Sequence, residues 1–466
     1  MGRILYLYNS TQTYTDTVYQ HIASFGKYSQ HATHYVHQDP TTTFATDLSA
    51  FDAVCIHYSI RMPFDQLSPS TVEALRCYDG LKFLFMQDEY DFTHRAWYWI
   101  RELGIKLVFT VVPEQSVDRI YPSHRFPNTC FCSVLTGYVP DGITFTKNLL
   151  LPSKRSLLVG YRGRPLPVRY GKLGLEKVKI GKMFRNYFSA NGLASDIAWT
   201  EEARIYGKNW LRFVASCRAM LGSESGSNVF DFDGSLGEEL KTFKINNPQA
   251  TEEDVYNTII LPKEHEGLMN QISPRVFEAI SMRTVLILFE GRYSGALEPG
   301  NHYISVKKDG SNLREIVEML LDGSFVDSMA ERTYQDIINS GNYGYPSFVR
   351  KVDDKIEQML KHVTNGASLK RGKIKTRRPI TYRPLRAFPP GSKFLVVTAA
   401  WSRLRSVRPR NLMLATWSRL RSVKPRNLRL AIAGRTLAIS ARIWMTLPVR
   451  LRRAVKPVAA RLFSRQ

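Results

Sequence analysis

The sequence lacks the short patterns that mark several large functional classes. It contains no phosphate-binding GxxxxGK[ST] loop, no HExxH zinc-protease pair and no EF-hand calcium loop. It also lacks an uncharged apolar run of the ~18 residues that a membrane-spanning helix requires. These absences exclude P-loop, zinc-protease, EF-hand and membrane-spanning proteins as interpretations of the sequence.

Cysteine is scarce, with five residues and no CxxC pair. The set therefore predicts no zinc site and favours reduced thiols in a cytosolic protein. The first residues meet a polar stretch within nine positions, unlike a signal peptide. We expect a cytoplasmic protein, at most peripheral at the cytosolic face of a membrane. The cysteines are Cys55, Cys77, Cys130, Cys132 and Cys217.

Acidic residues are missing from residues 366–466, which contain 26 Lys and Arg. The full chain of 466 residues has 65 Lys and Arg and 41 Asp and Glu, a formal net charge of +24. Residues 1–365 therefore hold 39 basic and all 41 acidic residues, a net charge of −2. The high overall charge belongs to a cationic tail and gives no sign that the neutral body binds nucleic acid.

The tail contains a short repeat, AAWSRLRSVRPRNL at 399–412 and ATWSRLRSVKPRNL at 415–428. Tryptophan and leucine at helical spacing between arginines are typical of a segment that lies on an anionic membrane. Nucleic-acid binding and a disordered, solvated tail are the alternatives, and Trp and Leu add little to non-specific phosphate binding. The residues expected to bind the membrane are Trp401, Arg403, Arg405, Trp417, Arg419 and Arg421.

The body alternates short apolar runs with helix-like stretches, the pattern of βαβ units and parallel sheets. Strands are predicted at 3–8, 51–57, 81–86 and 106–112, and then at 156–160, 196–206, 218–222 and 284–289. We therefore predict an α/β fold of two doubly wound, Rossmann-like domains facing a cleft. The predicted divisions are 1–145, 155–345, a crossover helix at 346–365 that returns to the first domain, and the tail at 366–466.

The segment QISPRVFEAISMRTVLILFE at 271–290 combines a capped helix with a buried strand. Ser273 is a good N-cap, and Pro274 suits the first helical position. Arg275 then lies in the first turn, where free amides and the helix dipole favour a phosphate. Glu278 lies one turn further on the same face, where a carboxylate matches a ribose diol. An ordinary capped helix with a surface glutamate explains the same pattern.

This helix and strand resemble the nucleotide-sugar signature of GT-B glycosyltransferases of the retaining group-1 type. The resemblance covers roughly residues 3–360, is strongest over 156–345, and extends to bacterial relatives that build surface glycans. Other phrases that agree are VGYRGR (159–164), DIAWTEEARIYGKNW (196–210), LGSESGSNVFDFDG (221–234) and LFEGRYSGALEPGNHYISVKKD (288–309).

The resemblance implies roles for the donor side. Glu278 matches the second glutamate of the family's signature, which binds the donor ribose. The spacing of the pair puts the first glutamate at position 270, where this sequence has Asn270. Alternatively Glu224 takes that place, and residues 235–265 are an insertion. The diphosphate would meet Arg164 and a lysine, which is either Lys172 or Lys177.

The acceptor side is less clearly marked. Asp88 and Glu89 directly follow a predicted strand, where ligands bind in open α/β sheets, so they are placed to face a cleft. A carboxylate there would orient or deprotonate an acceptor hydroxyl. His57, at the end of another strand, is a second candidate. Helix capping and a satisfied strand-end histidine explain the same residues without catalysis.

The resemblance implies a hexosyltransferase that moves a sugar from a nucleotide-diphospho-sugar to a glycan or lipid-linked acceptor, in glycan or polysaccharide assembly at a membrane surface. It implies no cofactor, no metal and no protein nucleophile, so we interpret the DFD at 231–233 as structural. The alternative function is a non-catalytic nucleotide- or RNA-binding protein that keeps the fold.

Overall fold

The computed structural model describes residues 2–13, 15–143 and 149–366. The tail residues Trp401, Arg403, Arg405, Trp417, Arg419 and Arg421 lie outside the described residues, so membrane binding by the tail stays a prediction. Within the described ranges, no helix is both long enough and apolar enough to cross a membrane.

Six strands form the first sheet: β1 (Arg3–Tyr8), β2 (Ala32–His37), β3 (Ala53–Ile56), β4 (Leu81–Phe85), β5 (Leu107–Thr110) and β6 (Cys130–Ser133). All neighbouring strands are parallel, in the order β2-β1-β3-β4-β5-β6. The runs predicted at 3–8, 51–57, 81–86 and 106–112 form β1, β3, β4 and β5. The two strands that were not predicted, β2 and β6, are the more exposed edges of the sheet.

Five strands form the second sheet: β7 (Leu157–Arg162), β8 (Ser195–Ala198), β9 (Cys217–Gly222), β10 (Val285–Phe289) and β11 (Ile304–Val306). They are also parallel, in the order β11-β10-β9-β7-β8. We refer to the parts of the chain around the two sheets as the first lobe and the second lobe. The prediction of an α/β protein with two doubly wound units is confirmed.

Helices connect the parallel strands and cover both sheets, as parallel sheets require. In the first lobe they are α1 (Asp16–Tyr28), α2 (Pro69–Arg76), α3 (Thr93–Glu102) and α4 (Val117–Ile120). In the second lobe they are α5 (Gly171–Ala190), α6 (Gly207–Ser216), α7 (Ser235–Asn246), α8 (Glu252–Val255), α9 (Pro274–Ser281), α10 (Leu313–Leu321) and α11 (Gly323–Thr333), followed by α12 (Tyr345–Gly366).

The strand order reverses once in each sheet. In the first sheet β2 lies on one side of β1 and β3 on the other, and in the second sheet β8 and β9 flank β7 in the same way. Loops that leave adjacent strands in opposite directions open a crevice at their carboxyl ends, and ligands of doubly wound folds bind there. The sheet topology therefore places candidate sites after β1 and β3, and after β7 and β9.

Helix α12 returns from the second lobe to the first. Phe348 is 2% exposed, and its ring packs against the rings of Tyr138, at 4.3 Å between centroids, and His21, at 4.9 Å. The carboxylate of Asp353 accepts hydrogen bonds from the Ser29 hydroxyl (2.9 Å) and the Gln30 amide (2.8 Å) at the end of α1. The helix thus closes the core of the first lobe with residues that come last in the described chain.

A second connection joins the lobes beside the end of β4. The amide of Phe92 donates to the carbonyl of Asp231 (2.7 Å), and the amide of Asp231 donates to the carbonyl of Tyr90 (2.8 Å). Asp91 and Asp231 are bridge partners as in a parallel sheet. The second lobe is therefore hydrogen-bonded through its backbone to a carboxyl-end loop of the first.

Replacing Phe348 by alanine tests the contribution of α12. Phe348→Ala leaves a cavity among aromatic rings, and we expect it to lower the free energy of unfolding by about 3–5 kcal/mol. Arg350→Ala, at an exposed position of the same helix, is the matched control and is expected to change stability by less than about 0.5 kcal/mol. Urea denaturation measures both. Equal stabilities of the two variants would contradict the packing role of α12.

Candidate functional site

The second lobe gathers its polar residues at the point where the strand order reverses. Helix α5 passes very close to the end of β7, because a Cβ at Gly163 would lie 3.0 Å from the backbone oxygen of Lys177. The hydroxyl of Tyr161 donates to the same oxygen at 2.6 Å. A glycine after β7 therefore allows α5 to place the Lys177 side chain over the crevice.

Lys177 reaches across to the loop that follows β9. Its ammonium group donates to the carbonyl oxygen of Glu224 (3.2 Å) and to the hydroxyl of Ser225 (3.1 Å). Burial lowers the pKa of Lys177, and the positive charge of Arg275 lowers it further, to about 8. Glu176 acts in the opposite direction but is the weakest of the three causes. Lys177 is thus a partly desolvated cation close to a second cation.

Arg275 lies where the sequence predicts it, in the first turn of α9. Ser273 is the N-cap residue, in an extended conformation, but its side chain makes no capping hydrogen bond. The guanidinium of Arg275 donates to the carbonyl oxygen of Arg162 at the end of β7, and it lies 4.8 Å from the centre of the Trp210 ring. The first turn of α9 therefore points its cation at the crevice between β7 and β9.

Glu278 lies one turn along α9 and is largely buried. Its Oε2 accepts a hydrogen bond from the indole N–H of Trp210 on α6 (2.6 Å). Burial raises the pKa of Glu278, while the Trp210 hydrogen bond and the charge of Arg275 oppose that rise. The contact holds the carboxylate in one orientation between α6 and α9.

The two residues proposed for the first glutamate, Glu224 and Asn270, touch each other. The amide group of Asn270 donates to Oε2 of Glu224 (2.5 Å), and Oε1 accepts from the backbone amides of Arg292 (3.1 Å) and Tyr293 (2.8 Å). A Cβ at Gly291 would lie 2.7 Å from the Glu224 carboxylate, so this loop needs glycine there. Residues 235–265, the proposed insertion, include α7 and α8, and the chain then returns to Glu224 at Asn270. We call Glu224, Asn270 and Gly291 the carboxylate node.

The other two donor-side cations do not join this cluster. Arg164 and Lys172 are both exposed. Within the described chain, no hydrogen bond or ion pair joins either side chain to Lys177, Arg275 or Glu278, and the contact of Lys172 is its backbone amide to Glu264 (2.7 Å). Of the two lysines that the resemblance allows, only Lys177 is brought to the crevice.

His57 forms part of the core, not of a cleft. It is fully buried, and its Nε2 lies 2.9 Å from Nδ1 of His21, while its Nδ1 accepts from the amide of Ser59 (3.1 Å). Burial lowers the pKa of His57 well below its usual value and lowers that of His21 to about 3. Both rings are therefore neutral, and the expectation that His57 meets an acceptor is wrong because no face of it reaches solvent.

Glu89 is likewise turned inward, although the sequence predicts that it faces a cleft. Its carboxylate accepts hydrogen bonds from the hydroxyls of Thr110 (2.7 Å) and Tyr121 and from the amide of Val111 (2.8 Å). Burial raises its pKa, against the effect of these hydrogen bonds. Glu89 is 0% exposed, so it ties β4 to β5 and the cleft-facing prediction is wrong.

Asp88, the neighbouring residue, is exposed at the carboxyl end of β4. Its backbone has φ of 52°, in the left-handed region, and its carboxylate accepts a hydrogen bond from the hydroxyl of Tyr90 (2.8 Å). A left-handed conformation costs energy for a residue other than glycine, although Asp tolerates it better than most. Of the three acceptor-side candidates, Asp88 alone presents a carboxylate to solvent.

The DFD segment at 231–233 has a structural role. The carboxylate of Asp231 accepts from the amides of Gly234 (2.8 Å) and Gly237 (3.1 Å) and caps α7. Arg169 pairs with both Asp91 (2.5 Å) and Asp231 (3.7 Å) where the lobes meet. The described residues contain no group of three or more His, Cys, Asp or Glu side chains arranged to hold a metal ion.

A cavity of about 1290 Å³ lies between the lobes and borders the carboxylate node. It is bounded by the carboxyl ends of β5 and β6, by α12 and by the loop after β10. Asn270 and Gly291 of the carboxylate node line it, and Lys177 contacts the third residue of the node, Glu224. A volume above that of ordinary ligand pockets leaves room for a large substrate beside the node.

Two parts of the site were missed by the sequence prediction. Trp210, the partner of Glu278, was quoted only as part of a phrase, and the amides of Arg292 and Tyr293, which hold Glu224, were given no role. The amides of Arg292 and Tyr293 could have been found from their position in the sequence, because EGRYSG directly follows a predicted strand of a parallel sheet, where ligands bind. For Trp210 no signal existed, because its contact with Glu278 joins residues 68 positions apart.

No protein-family model and no curated protein match the chain. Solved structures with a similar backbone trace were found. An alpha-glucosyltransferase in complex with UDP and a 13-mer DNA has a TM-score of 0.45 at 10% identity, over 77% of this chain and 99% of that one. HepE from Anabaena, in complex with UDP and glucose, has 0.43 at 11%, over 78% and 100%. T4 phage BGT, with its UDP-glucose substrate, has 0.40 at 13%, over 79% and 100%. At these values the similarities assign no role to any residue.

The buried histidine pair predicts how stability depends on pH. In the unfolded chain both histidines bind a proton near pH 6.5, whereas in the folded chain they stay neutral. The free energy of unfolding should therefore fall as the pH drops from 7 to 5, by up to about 1.4 kcal/mol per pH unit for each histidine.

Replacing one histidine of the pair tests this dependence. His21→Asn should lower the slope of unfolding free energy against pH, measured by urea denaturation, by about the contribution of one histidine. His124→Asn, at an exposed position, is the control. Equal slopes in both variants would contradict the assignment.

Proposed function

We propose that the protein transfers a sugar from a nucleotide-diphospho-sugar to an acceptor. The observation that carries this proposal is the grouping of Lys177 and Arg275 beside the Glu278 carboxylate, at the point where the strand order of the second sheet reverses. Two cations and a carboxylate in a crevice match the two recognition groups of such a donor, its diphosphate and its ribose.

The cation pair supports a diphosphate subsite. Neither Lys177 nor Arg275 has an ion pair with a carboxylate among the described residues, and after burial the positive charge of Arg275 is the second cause that lowers the pKa of Lys177. An anion between them would remove this repulsion and accept charge-assisted hydrogen bonds from both. The positive end of α9 adds to the attraction.

Glu278 supports a ribose subsite. Trp210 donates to its Oε2, and no group in the described part of the chain donates a hydrogen bond to its Oε1. A fixed carboxylate with one open oxygen is suited to accept hydrogen bonds from the ribose hydroxyls. One turn of α9 separates it from Arg275, so phosphate and ribose would lie side by side along one helix.

The reaction would then take place between the cation pair and the carboxylate node. The bond from the anomeric carbon to the diphosphate oxygen breaks, and a bond from that carbon to an acceptor oxygen forms. Lys177 and Arg275 would stabilise the negative charge that develops on the diphosphate. The acceptor proton would pass to a base, for which we propose Asp88, the exposed carboxylate at the carboxyl end of β4. Retention of configuration and a role in surface-glycan assembly are proposed on the resemblance of 271–290 to the group-1 signature.

Charge-removing variants test the donor site. Lys177→Met and Arg275→Met should each weaken binding of the active donor among UDP-, GDP-, ADP- and CMP-sugars by about 10- to 100-fold. Glu278→Ala should weaken donor binding as well. The affinity of the Glu278→Ala variant for inorganic pyrophosphate should equal that of the native protein, since pyrophosphate has no ribose. Calorimetric titration and donor hydrolysis measure these effects. In the native chain, affinity should fall as the pH rises above 8 and Lys177 loses its proton, and Lys177→Arg should abolish that fall.

Lys179→Met is the matched control, because Lys179 is exposed on the same helix and should bind the donor like the native protein. Failure of the native protein to bind any of the four classes of nucleotide-sugar would overturn the proposal. Binding without hydrolysis or transfer would favour the alternative, a non-catalytic nucleotide-binding protein.

We also propose that the cationic tail holds the enzyme at an anionic membrane surface. The support is the sequence, with 26 basic and no acidic residues over 366–466 and tryptophans at 401 and 417. Attachment through aromatic and basic residues would bring the enzyme to a lipid-linked acceptor.

Co-sedimentation with liposomes tests the tail. The full chain should bind vesicles that contain anionic lipid, and a variant ending at residue 365 should not, because the body has a net charge of −2. Replacing Trp401 and Trp417 by alanine should weaken binding while the charge stays constant. Equal binding by the full and shortened chains would refute the proposal, and binding of duplex RNA in preference to vesicles would favour the nucleic-acid alternative.

A further inference from the structure

A stretch of the second lobe packs into the core of the first lobe. It consists of two paired segments, 225–234 after β9 and 265–271 before α9, which we call the strap. The amide of Ser225 donates to the carbonyl oxygen of Gln271 (2.7 Å), and the amide of Gln271 donates to that of Ser225 (2.9 Å). The two segments therefore run side by side where they leave the second lobe.

Asn228 holds the two segments together further along the strap. Its side-chain oxygen accepts from the amide of Met269 (2.9 Å), and its side-chain nitrogen donates to Oδ1 of Asn270 (2.8 Å). Its carbonyl oxygen accepts from the amide of His265 (2.9 Å). Asn228 is 4% exposed, so water competes little for these hydrogen bonds. The strap is thus internally bonded, and its Asn270 contacts the Glu224 carboxylate of the node.

Apolar side chains seat the strap in the first lobe. Leu268 and Met269 are 4% and 1% exposed and belong to the same hydrophobic cluster as buried residues of β3 and β5. The centre of the Phe232 ring lies 5.3 Å from that of His94 and 6.1 Å from that of Trp97. The amide of His94 also donates to the carbonyl oxygen of Phe232 (2.8 Å). The first lobe therefore builds part of its core from residues of the second.

A cluster of buried charges fixes the same contact. Arg169, in the turn before α5, pairs with Asp91 of the first lobe and with Asp231 of the strap. The side chains of Asp91 and Asp231 are 7% and 3% exposed. Removing the cation that they share would leave two buried carboxylates uncompensated, which is strongly unfavourable. The cluster therefore favours the docked position of the strap.

The strap bears on how the two lobes move. Lobes that meet through a small polar interface move relative to each other by default, whereas a large apolar interface prevents that motion. We propose that the strap is a lock, which together with α12 holds the two lobes in one arrangement. The lock is a property of the free protein and so goes beyond the proposed function. A locked cleft would bind a substrate without closure of the lobes.

Hydrogen exchange of backbone amides tests the lock in the free, full-length protein. The amides of Phe92, His94 and Asp231 donate across the lobes and should be protected in the native chain. Arg169→Met and Phe232→Ala should each speed their exchange by about 10- to 1000-fold, while the amides of β10 exchange at the native rate. The double variant should also have a larger radius of gyration than the native protein in small-angle X-ray scattering, because its lobes can separate.

Arg283→Met is the matched control. The side chain of Arg283 is 28% exposed, against 29% for Arg169, and pairs with Glu331 (2.7 Å) within the second lobe, so exchange across the lobes should stay native. Unprotected amides at 92, 94 and 231 in the native protein would overturn the lock. Native exchange in the Arg169→Met variant would overturn it too, even if Phe232→Ala does not fold. Faster exchange at an unchanged radius of gyration would mean that α12 alone holds the lobes, which also contradicts the lock.

Discussion

The close approach of α5 to the end of β7 is the constraint on which the candidate site depends. Gly163 favours it, because a Cβ there would lie 2.7 Å from Cε1 of Tyr161 and 3.0 Å from the backbone oxygen of Lys177. It is reinforced by the hydrogen bond from Tyr161 to the same carbonyl. With the helix in this place, the Lys177 ammonium spans the crevice to Glu224, and the loops after β7 and β9 become two walls of one site.

The site concentrates charges that the fold itself does not neutralise. Lys177 and Arg275 repel each other, and Glu278 is buried with a single hydrogen bond to one oxygen. Such an arrangement costs stability and is typical of sites that are completed by a ligand. The buried groups of the first lobe are the opposite case. Both carboxylate oxygens of Glu89 and both ring nitrogens of His57 have protein partners, and His21 is hydrogen-bonded to His57. Of the two acids after β4, Asp88 is the exposed one.

Much of the fold could be predicted because buried parallel strands have a simple signature. The run that forms β10 is continuously apolar, those that form β1 and β4 are apolar apart from Arg3 and Lys82, and the residues of all three are buried except at the two ends of β1. The edge strands β2 and β6 were not predicted, because ATHYVH and CFCS are only partly buried and contain polar residues. Within the site, Arg275 and Glu278 could be predicted because both belong to one helix turn. Glu89 could not, because the left-handed backbone at Asp88 decides which of the two acids turns inward.

The sequence by itself determined the α/β class, the neutral body with its cationic tail, and the local geometry of α9, since these follow from composition, periodicity and neighbours along the chain. Only the tertiary structure decided that Lys177, and not Lys172, reaches the crevice, and that Glu224 and Asn270 meet at one node. It also brought Trp210 to Glu278. These contacts join residues 46 to 68 positions apart. Their distances depend on how helices pack on the sheet, which no local pattern specifies.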